Sequence, residues 1–394
     1  MKKLIFLPST IIAVFLLLLC SACGTPDMKL PEEHPQDSYT IDSLRATDNV
    51  TYELDEEALA GVVERIEKGY YGNVHSLIII HNNGLALEKY FRGWTRHMHH
   101  PCYSVTKSFT SALTGNAIKN GFIKSVDEKL LGFFPEYEGL IANLDDRKRA
   151  ITLRDLLTMS AGFQWDELST SYVDSQGKPN LTNDAMKMAL SDDWIQYMLD
   201  RPMGAEPGTK FVYNSGCTIL LSGILSKTTG KSAEQLAAEQ LFTPLGITSW
   251  EWATAPDNIT NTGWGLSLHP VNMALFGYLF LKSGRFAGEQ IVPEQWVQES
   301  SAKHITMNSM PWPMTGMFDY GYQWWRFNDQ YFDKMWVGSK PAKNDIFYAN
   351  GFGGQSIYVI PHLDMVITVT AWNPTGAALG GLLLNDCLLA VKKK

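Results

Sequence analysis

The strongest constraint on this chain is a pair of strand-turn-strand signals, one near each end. Val74 to His81 (VHSLIIIH) is a run of strand length with the composition of a buried strand. Asn82-Asn83-Gly84 follows; Asn and Gly accept positive φ cheaply, so the chain turns there and returns as Leu85 to Phe91. Far downstream, Ser356 to Ile360 and Met365 to Trp372 flank a Pro361-His362-Leu363-Asp364 turn. The middle has helical spacing instead. Ser104 to Lys119, Leu153 to Met159, Asn183 to Leu199, Thr218 to Lys227, Ser232 to Gln240 and Val271 to Leu281 carry it, punctuated by Gly and Pro. Leu379 to Val391 reads as a last apolar helix whose C-terminus suits Lys392-Lys393-Lys394. Hairpins distant in sequence can pair into one antiparallel sheet. The expected fold class is therefore α/β (α+β): an antiparallel sheet flanked by helices, from about 55–100 and 286–394, plus a mostly helical part over about 104–285.

Composition excludes several alternatives. Hydrophobic residues make up 45% and charged residues 19%, enough to bury a large core and too apolar for a disordered chain. No self-similarity at a 20–50-residue period marks a repeat array. A net charge of −8 gives no basic surface for nucleic-acid phosphates, so no nucleic-acid partner is expected.

The first residues read as an address. Met1-Lys2-Lys3 is positive, Ile11 to Cys20 is a short apolar run, and Ser21-Ala22-Cys23-Gly24 is small, the pattern of a signal peptide over 1–22. Cys20-Ser21-Ala22-Cys23 also resembles a bacterial lipobox, with Cys23 as the lipidated residue. Residues 23–50 are polar with Pro26, Pro31 and Pro35, and read as a flexible tether before a single domain over 51–394. The expectation is an exported, cell-envelope or periplasmic protein, lipid-anchored at Cys23 or otherwise secreted. Cys102, Cys217 and Cys387 then remain; three cysteines without C-x-x-C spacing make neither a disulfide scaffold nor a metal knuckle.

The candidate chemistry centres on Tyr103-Ser104-Val105-Thr106-Lys107-Ser108-Phe109. Val105, Phe109 and Leu113 repeat every four residues, so Ser104 sits in the first turn of a helix and shares a face with Lys107. A serine hydroxyl is a poor nucleophile until a base takes its proton, and a desolvated lysine with a lowered pKa can do that. The spacing alone is weak, since Ser175/Lys178 and Ser300/Lys303 repeat it; only Ser104 opens a helix with an apolar face. Two further stretches are candidates. Pro207 to Gly216 is a turn, an extended piece and a helix start, where Tyr213 could move a proton if cations depress its phenol pKa, against the plain reading of a structural Tyr. Gly351-Phe352-Gly353-Gly354-Gln355 opens a strand, and its glycines either let backbone N–H groups approach a ligand or mark a bulge.

Together these residues resemble the serine β-lactamase/penicillin-binding-protein superfamily, on the branch near class C β-lactamases and esterases. Ile151 to Gly162, Gly263-Trp264-Gly265-Leu266-Ser267 and Tyr320-Gly321-Tyr322-Gln323-Trp324-Trp325 fit the same branch, and the likeness covers roughly residues 55–390. The resemblance implies a β-lactamase/DD-peptidase-like fold with the site between sheet and helical part. It implies Ser104 as acylated nucleophile, Lys107 as its base, and Tyr213 as a second base. Backbone N–H groups of Ser104 and Gln355 would hold the oxyanion, Ser215, Phe352, Gly353 and Gly354 would touch substrate, and no metal or other cofactor is needed.

Two departures set the expected substrate. The family's Y-x-N appears as Tyr213-Asn214-Ser215, and its K-T-G as Phe352-Gly353-Gly354. Phe352 supplies no charge for a β-lactam carboxylate, which points to neutral or apolar-flanked esters or amides, or small peptides. The expected activity is a serine hydrolase working through an acyl-enzyme on Ser104. The alternatives are a true β-lactamase or D-aminopeptidase-type enzyme, a catalytically retired binder of peptidoglycan or other ligands, and a zinc hydrolase at His97-Met98-His99-His100, a tract whose plain reading is a solvated loop. There is no H-E-x-x-H and no G-x-S-x-G, and Gly230-Lys231-Ser232 lacks the earlier glycine of a P-loop.

Overall fold

The computed structural model describes residues 30–394 except 49, 175, 177, 257, 311–313, 335, 337–340 and 375–376. The signal peptide, Cys23 and the tether as far as residue 29 lie outside the described residues. From Leu30 onward the expected tether is not a free linker: Tyr39 and Ile41 are buried, and Gln36 hydrogen-bonds to the backbone of Thr248 and Ser249 through its side-chain oxygen. An aromatic and an aliphatic side chain in a polar stretch were enough to dock it.

Both hairpin signals become one eight-stranded antiparallel sheet. Its strands are β1 (Val74–His81), β2 (Gly84–Tyr90), β3 (Ile305–Thr306), β4 (Phe318–Tyr320), β5 (Trp325–Phe327), β6 (Phe347–Gly351), β7 (Gln355–Ile360) and β8 (Met365–Ala371), in the order β2-β1-β8-β7-β6-β5-β4-β3. The ends of the chain meet at β1 and β8, where Ile79 pairs with Ile367 and Leu77 with Val369. All eight residues of β1 are buried, so both faces of the sheet are covered there. Neighbouring residues of a strand point to opposite faces. The Cα of Gly277, in the helix Pro270–Leu281, lies against the Ile357 side chain, and Gly380, in the helix Ala377–Leu389, lies against the Tyr358 hydroxyl. Those two helices therefore flank the sheet on opposite sides.

The helical block lies between β2 and β3 in sequence. Its centre is the pair Thr106–Lys119 and Ser215–Thr229. A three-stranded sheet, with Leu266–Leu268 between His100–Pro101 and Glu251–Trp252, leads directly into the turn that carries Ser104. Two helices differ from the sequence expectation. The stretch Asn183–Leu199 is two helices, Asp184–Ala189 and Trp194–Leu199, because the Asp193 side chain caps the second by accepting from the Gln196 N–H at 2.8 Å. The last helix stops at Leu389, and Val391–Lys393 is a strand paired with Tyr52–Leu54; Lys392 there pairs with Asp55, the N-cap of Glu56–Glu67. No helix among the described residues is long and apolar enough to cross a membrane.

Gly277 marks how closely helix and sheet approach. A Cβ there would lie 2.5 Å from Ile357 Cγ2 and 2.8 Å from Val366 Cγ1. Both neighbours are β-branched and stiff at χ1, so they cannot swing aside. Alanine gains about 1 kcal/mol of helix propensity over glycine, whereas overpacking a core costs about 1–3 kcal/mol. The second effect is expected to win: Gly277→Ala should lower Tm, measured by differential scanning calorimetry.

Candidate active site

The nucleophile candidate sits on a strained turn. Tyr103–Val105 is a 3₁₀ turn that runs into the helix Thr106–Lys119, and Tyr103 has φ +48°, a left-handed conformation costly for an aromatic residue. Ser104 is half-buried. Its hydroxyl lies 2.9 Å from Lys107 Nζ, one turn along the same face.

Lys107 is fully enclosed, 1% exposed, and its ammonium has three acceptors: Ser104 Oγ, Ser215 Oγ at 3.0 Å and the Gly263 carbonyl at 2.7 Å. Three donors and three acceptors close the account for this group. Burial pulls its pKa down to about 8, against the opposing charge of Glu167.

Glu167 is the residue that sequence reasoning missed. It is 3% exposed and takes the Ser215 N–H at 2.7 Å, the Ser215 hydroxyl at 2.5 Å, the Trp165 indole N–H at 2.9 Å and the Tyr172 hydroxyl at 3.1 Å. The order Glu167–Ser215–Lys107–Ser104 is one hydrogen-bonded chain. The only sequence signal was an acidic residue inside the apolar-aromatic run after Gly162, which reads as a loop.

Ser215 was expected to touch substrate. The structure places it elsewhere: at 1% exposure, with its hydroxyl donated to Glu167 and accepting from Lys107, it is enclosed behind Lys107 and not open to a ligand. Asn214 is diverted to cap the Ser215–Thr229 helix, accepting from the Cys217 N–H at 3.2 Å. The Tyr213 expectation changes as well. Lys107 Nζ lies 5.0 Å from its ring centroid, against the face of the ring. Burial first, then the Glu167 charge, raises the phenol pKa above its ordinary value, and a hydrogen bond with the Ser104 side chain only partly opposes them. The phenol is held neutral, not depressed by cations.

The Phe352 hairpin closes the site from the sheet side. A Cβ on Gly351 would meet the Cys102 carbonyl at 2.4 Å, so β6 ends directly against the Ser104 turn. Gly353 and Gly354 have φ +81° and +101°, which require glycine. The Gln355 side chain is structural: it donates to the Phe352 and Ala371 carbonyls, both at 2.8 Å, and accepts from the Ala371 N–H. Phe352 makes edge contacts with Tyr103, Tyr172 and Trp372, with centroids 5.3–5.8 Å apart, an aromatic wall beside Ser104. Behind the site, Gln323 ties three helices together by accepting from Thr218 and Ser108 and donating to the Leu156 and Leu157 carbonyls.

Cys102, Cys217 and Cys387 are buried and free. The histidine tract is not a solvated loop: His99 and His100 are buried, and the side chains diverge, His97 to Tyr39, His99 to Ser249 and His100 to His75. They do not converge on one ion.

A buried lysine on a serine hydroxyl, set between an antiparallel sheet and a helical block, defines a class of acyl-transferring serine enzymes. The Beta-lactamase family model matches residues 59–379, and the chain belongs to that family. It is 30% identical over 160 residues to monacolin J acid methylbutanoyltransferase of Aspergillus terreus, a match spanning 38% of this chain and 37% of that relative. Among solved structures it is similar to the "putative 6-aminohexanoate-dimer hydrolase" of Bacillus anthracis (TM-score 0.67, 20% identity, 91% of this chain and 88% of that one). It is also similar to a family VIII carboxylesterase (TM-score 0.64, 13% identity, 86% and 100%).

Glu167 raises the Lys107 pKa by its charge and aligns Ser215 by accepting two hydrogen bonds. Glu167→Gln is therefore expected to move the pH midpoint of ester hydrolysis downward and to lower the plateau rate by about 10-fold or more. A pH–rate profile beside wild type checks both effects.

Proposed function

We propose that this protein hydrolyses esters or amides of neutral, apolar-flanked acyl groups through an acyl-enzyme on Ser104. The observation that carries the proposal is the 2.9 Å contact between Ser104 Oγ and a buried Lys107 whose pKa is drawn down to about 8. As the free amine, Lys107 keeps N–H donors for Ser215 and Gly263 and turns its lone pair to the Ser104 hydroxyl. Ser104 Oγ attacks the carbonyl carbon, and its proton passes to Lys107. Backbone N–H groups of Ser104 and Gln355 hold the oxyanion. As the intermediate collapses, the leaving alkoxide or amine takes the proton back from the Lys107 ammonium, and the neutral Tyr213 phenol donates a hydrogen bond beside it. Water then attacks the acyl-enzyme by the same route in reverse, releasing the acid and restoring the serine.

The substrate class rests on Phe352. It offers an aromatic face where an ammonium would be needed for a substrate carboxylate, and Tyr103, Tyr172 and Trp372 continue that apolar surface. A retired binder is disfavoured because Ser215 still hydrogen-bonds Lys107 despite the altered Y-x-N. Membrane attachment through a lipid on Cys23 belongs to the same proposal and rests on the sequence alone.

The test is hydrolysis of short-chain nitrophenyl esters. Ser104→Ala should lose at least about 10³-fold in kcat/KM. Because the base is active only when unprotonated, wild-type kcat/KM should rise with pH to a plateau above about 8 and fall about tenfold per unit below it. Equal rates in wild type and Ser104→Ala, or a rate flat in pH from 6 to 9, would refute the mechanism. Phe352→Ala should raise KM for butyrate and hexanoate esters by about 10-fold, the scale of losing one buried aromatic contact, and leave the acetate ester less affected.

A further inference from the structure

The histidine tract yields a site of another kind once the structure brings distant residues to it. His34 from the N-terminal segment, His99 from the residue before the His100–Pro101 strand, and Glu251 from the Glu251–Trp252 strand place one ligand atom each within 4.8 Å of one another. His34 Nε2 is 3.6 Å and His99 Nδ1 is 3.7 Å from the same oxygen, Glu251 Oε1. Those distances are too long for hydrogen bonds. They suit ligands of a common ion, since atoms held about 2.0–2.1 Å from a tetrahedral centre lie about 3.3–3.5 Å apart.

The hydrogen bonds of His99 point the same way. His99 Nε2 lies 2.9 Å from Ser249 Oγ, whereas His99 Nδ1 is buried without a hydrogen-bond partner and faces the carboxylate. His99 is 5% exposed. If Nε2–H is donated to Ser249, Nδ1 turns a bare lone pair toward Glu251, an arrangement that a cation between them stabilises. A hydrogen bond from the far nitrogen is also what orients a metal-bound imidazole. His34 and Glu251 are partly exposed, which leaves an entry path and room for water as a fourth ligand.

We propose that His34 Nε2, His99 Nδ1 and Glu251 Oε1 form a structural site for a zinc-class divalent ion. Two imidazoles and one carboxylate are borderline ligands that favour such an ion over calcium or magnesium. The rings of His34 and His99 are stacked, with planes 4° apart and centroids 4.6 Å apart. Each nitrogen binds in its ring plane, so the half-exposed His34 ring turns about its Cβ–Cγ bond when the ion binds. The role is a staple. His34 already takes the His97 carbonyl through its N–H at 2.6 Å, and the ion would lock this docked segment to the small sheet that leads into the Ser104 turn. The site is separate from Ser104 and takes no part in acyl transfer.

The test uses untagged full-length protein, stripped with a chelator and titrated with zinc chloride in a non-coordinating buffer. Isothermal calorimetry should show one ion per chain, and zinc should raise Tm. His34→Gln and Glu251→Gln should each weaken binding at least 10-fold and abolish most of the Tm rise. Their metal-free melting, cooperative and close to that of metal-free wild type, separates loss of the site from loss of the fold. No stoichiometric binding by wild type, or an equal zinc-dependent Tm rise in wild type and both variants, would overturn the proposal.

Discussion

The structure around Ser104 depends on one buried ammonium. Enclosing a charge is costly unless its donors are met, and breaking such a set leaves an uncompensated charge inside. Lys107 meets the condition with acceptors from three places: its own helix, the start of the Ser215–Thr229 helix and the Gly263 loop. Each must stay within hydrogen-bond reach, so the lysine fixes their spacing. Glu167 extends the requirement to a fourth segment by holding both polar groups of Ser215. Gln323 does the same from behind, tying the Thr106–Lys119, Leu153–Leu157 and Ser215–Thr229 helices together.

A second buried lysine shows that burial alone does not make a base. Lys148 is fully enclosed, and its pKa is also pulled down to about 8, mainly by burial. Its ammonium, however, donates to the carbonyls of Ala142 and Leu199 and, among the described residues, has no hydroxyl partner. It has no proton to take. What separates Lys107 from Lys148 is the neighbouring Ser104 Oγ, so geometry selects between two lysines that electrostatics alone would rank equally.

Much of this was legible in the sequence. The apolar runs at 74–81 and 365–372 are long, β-rich and bounded by turns, and they emerged as the interior strands β1 and β8. Their pairing across the chain followed from the need to cover both. Among the S-x-x-K repeats, the apolar helix face picked out Ser104; Ser300 instead spends its carbonyl on the Tyr322 N–H while Lys303 pairs with Asp319, and Ser175 lies outside the described residues. What stayed hidden depended on partners distant in sequence. Glu167 is polar in a loop, and nothing local reveals that Ser215 lies beside it. Lys392–Lys394 read as a helix end because charge near a C-terminus is favourable there, but strand pairing with Tyr52–Leu54 won. The histidine tract suggested convergence, which adjacent residues cannot easily achieve; His99 needed His34 and Glu251.

The Phe352 hairpin separates two demands that a K-T-G sequence would meet together. One is conformational: the chain must turn between β6 and β7 with two successive positive φ values and let Gly351 approach the Cys102 carbonyl. The other is electrostatic: an ammonium for a substrate carboxylate. Gly353 and Gly354 satisfy the first in full, and the buried Gln355 side chain clamps the turn to Ala371. Phe352 replaces the second with an aromatic face. A hairpin that keeps its shape but drops its charge can hold the Gln355 backbone for an oxyanion while changing what lies next to the acyl group. Under the proposed function, then, forming an acyl-enzyme and choosing its acyl group would rest on different atoms of the same turn, and a single side chain would alter the second without disturbing the first.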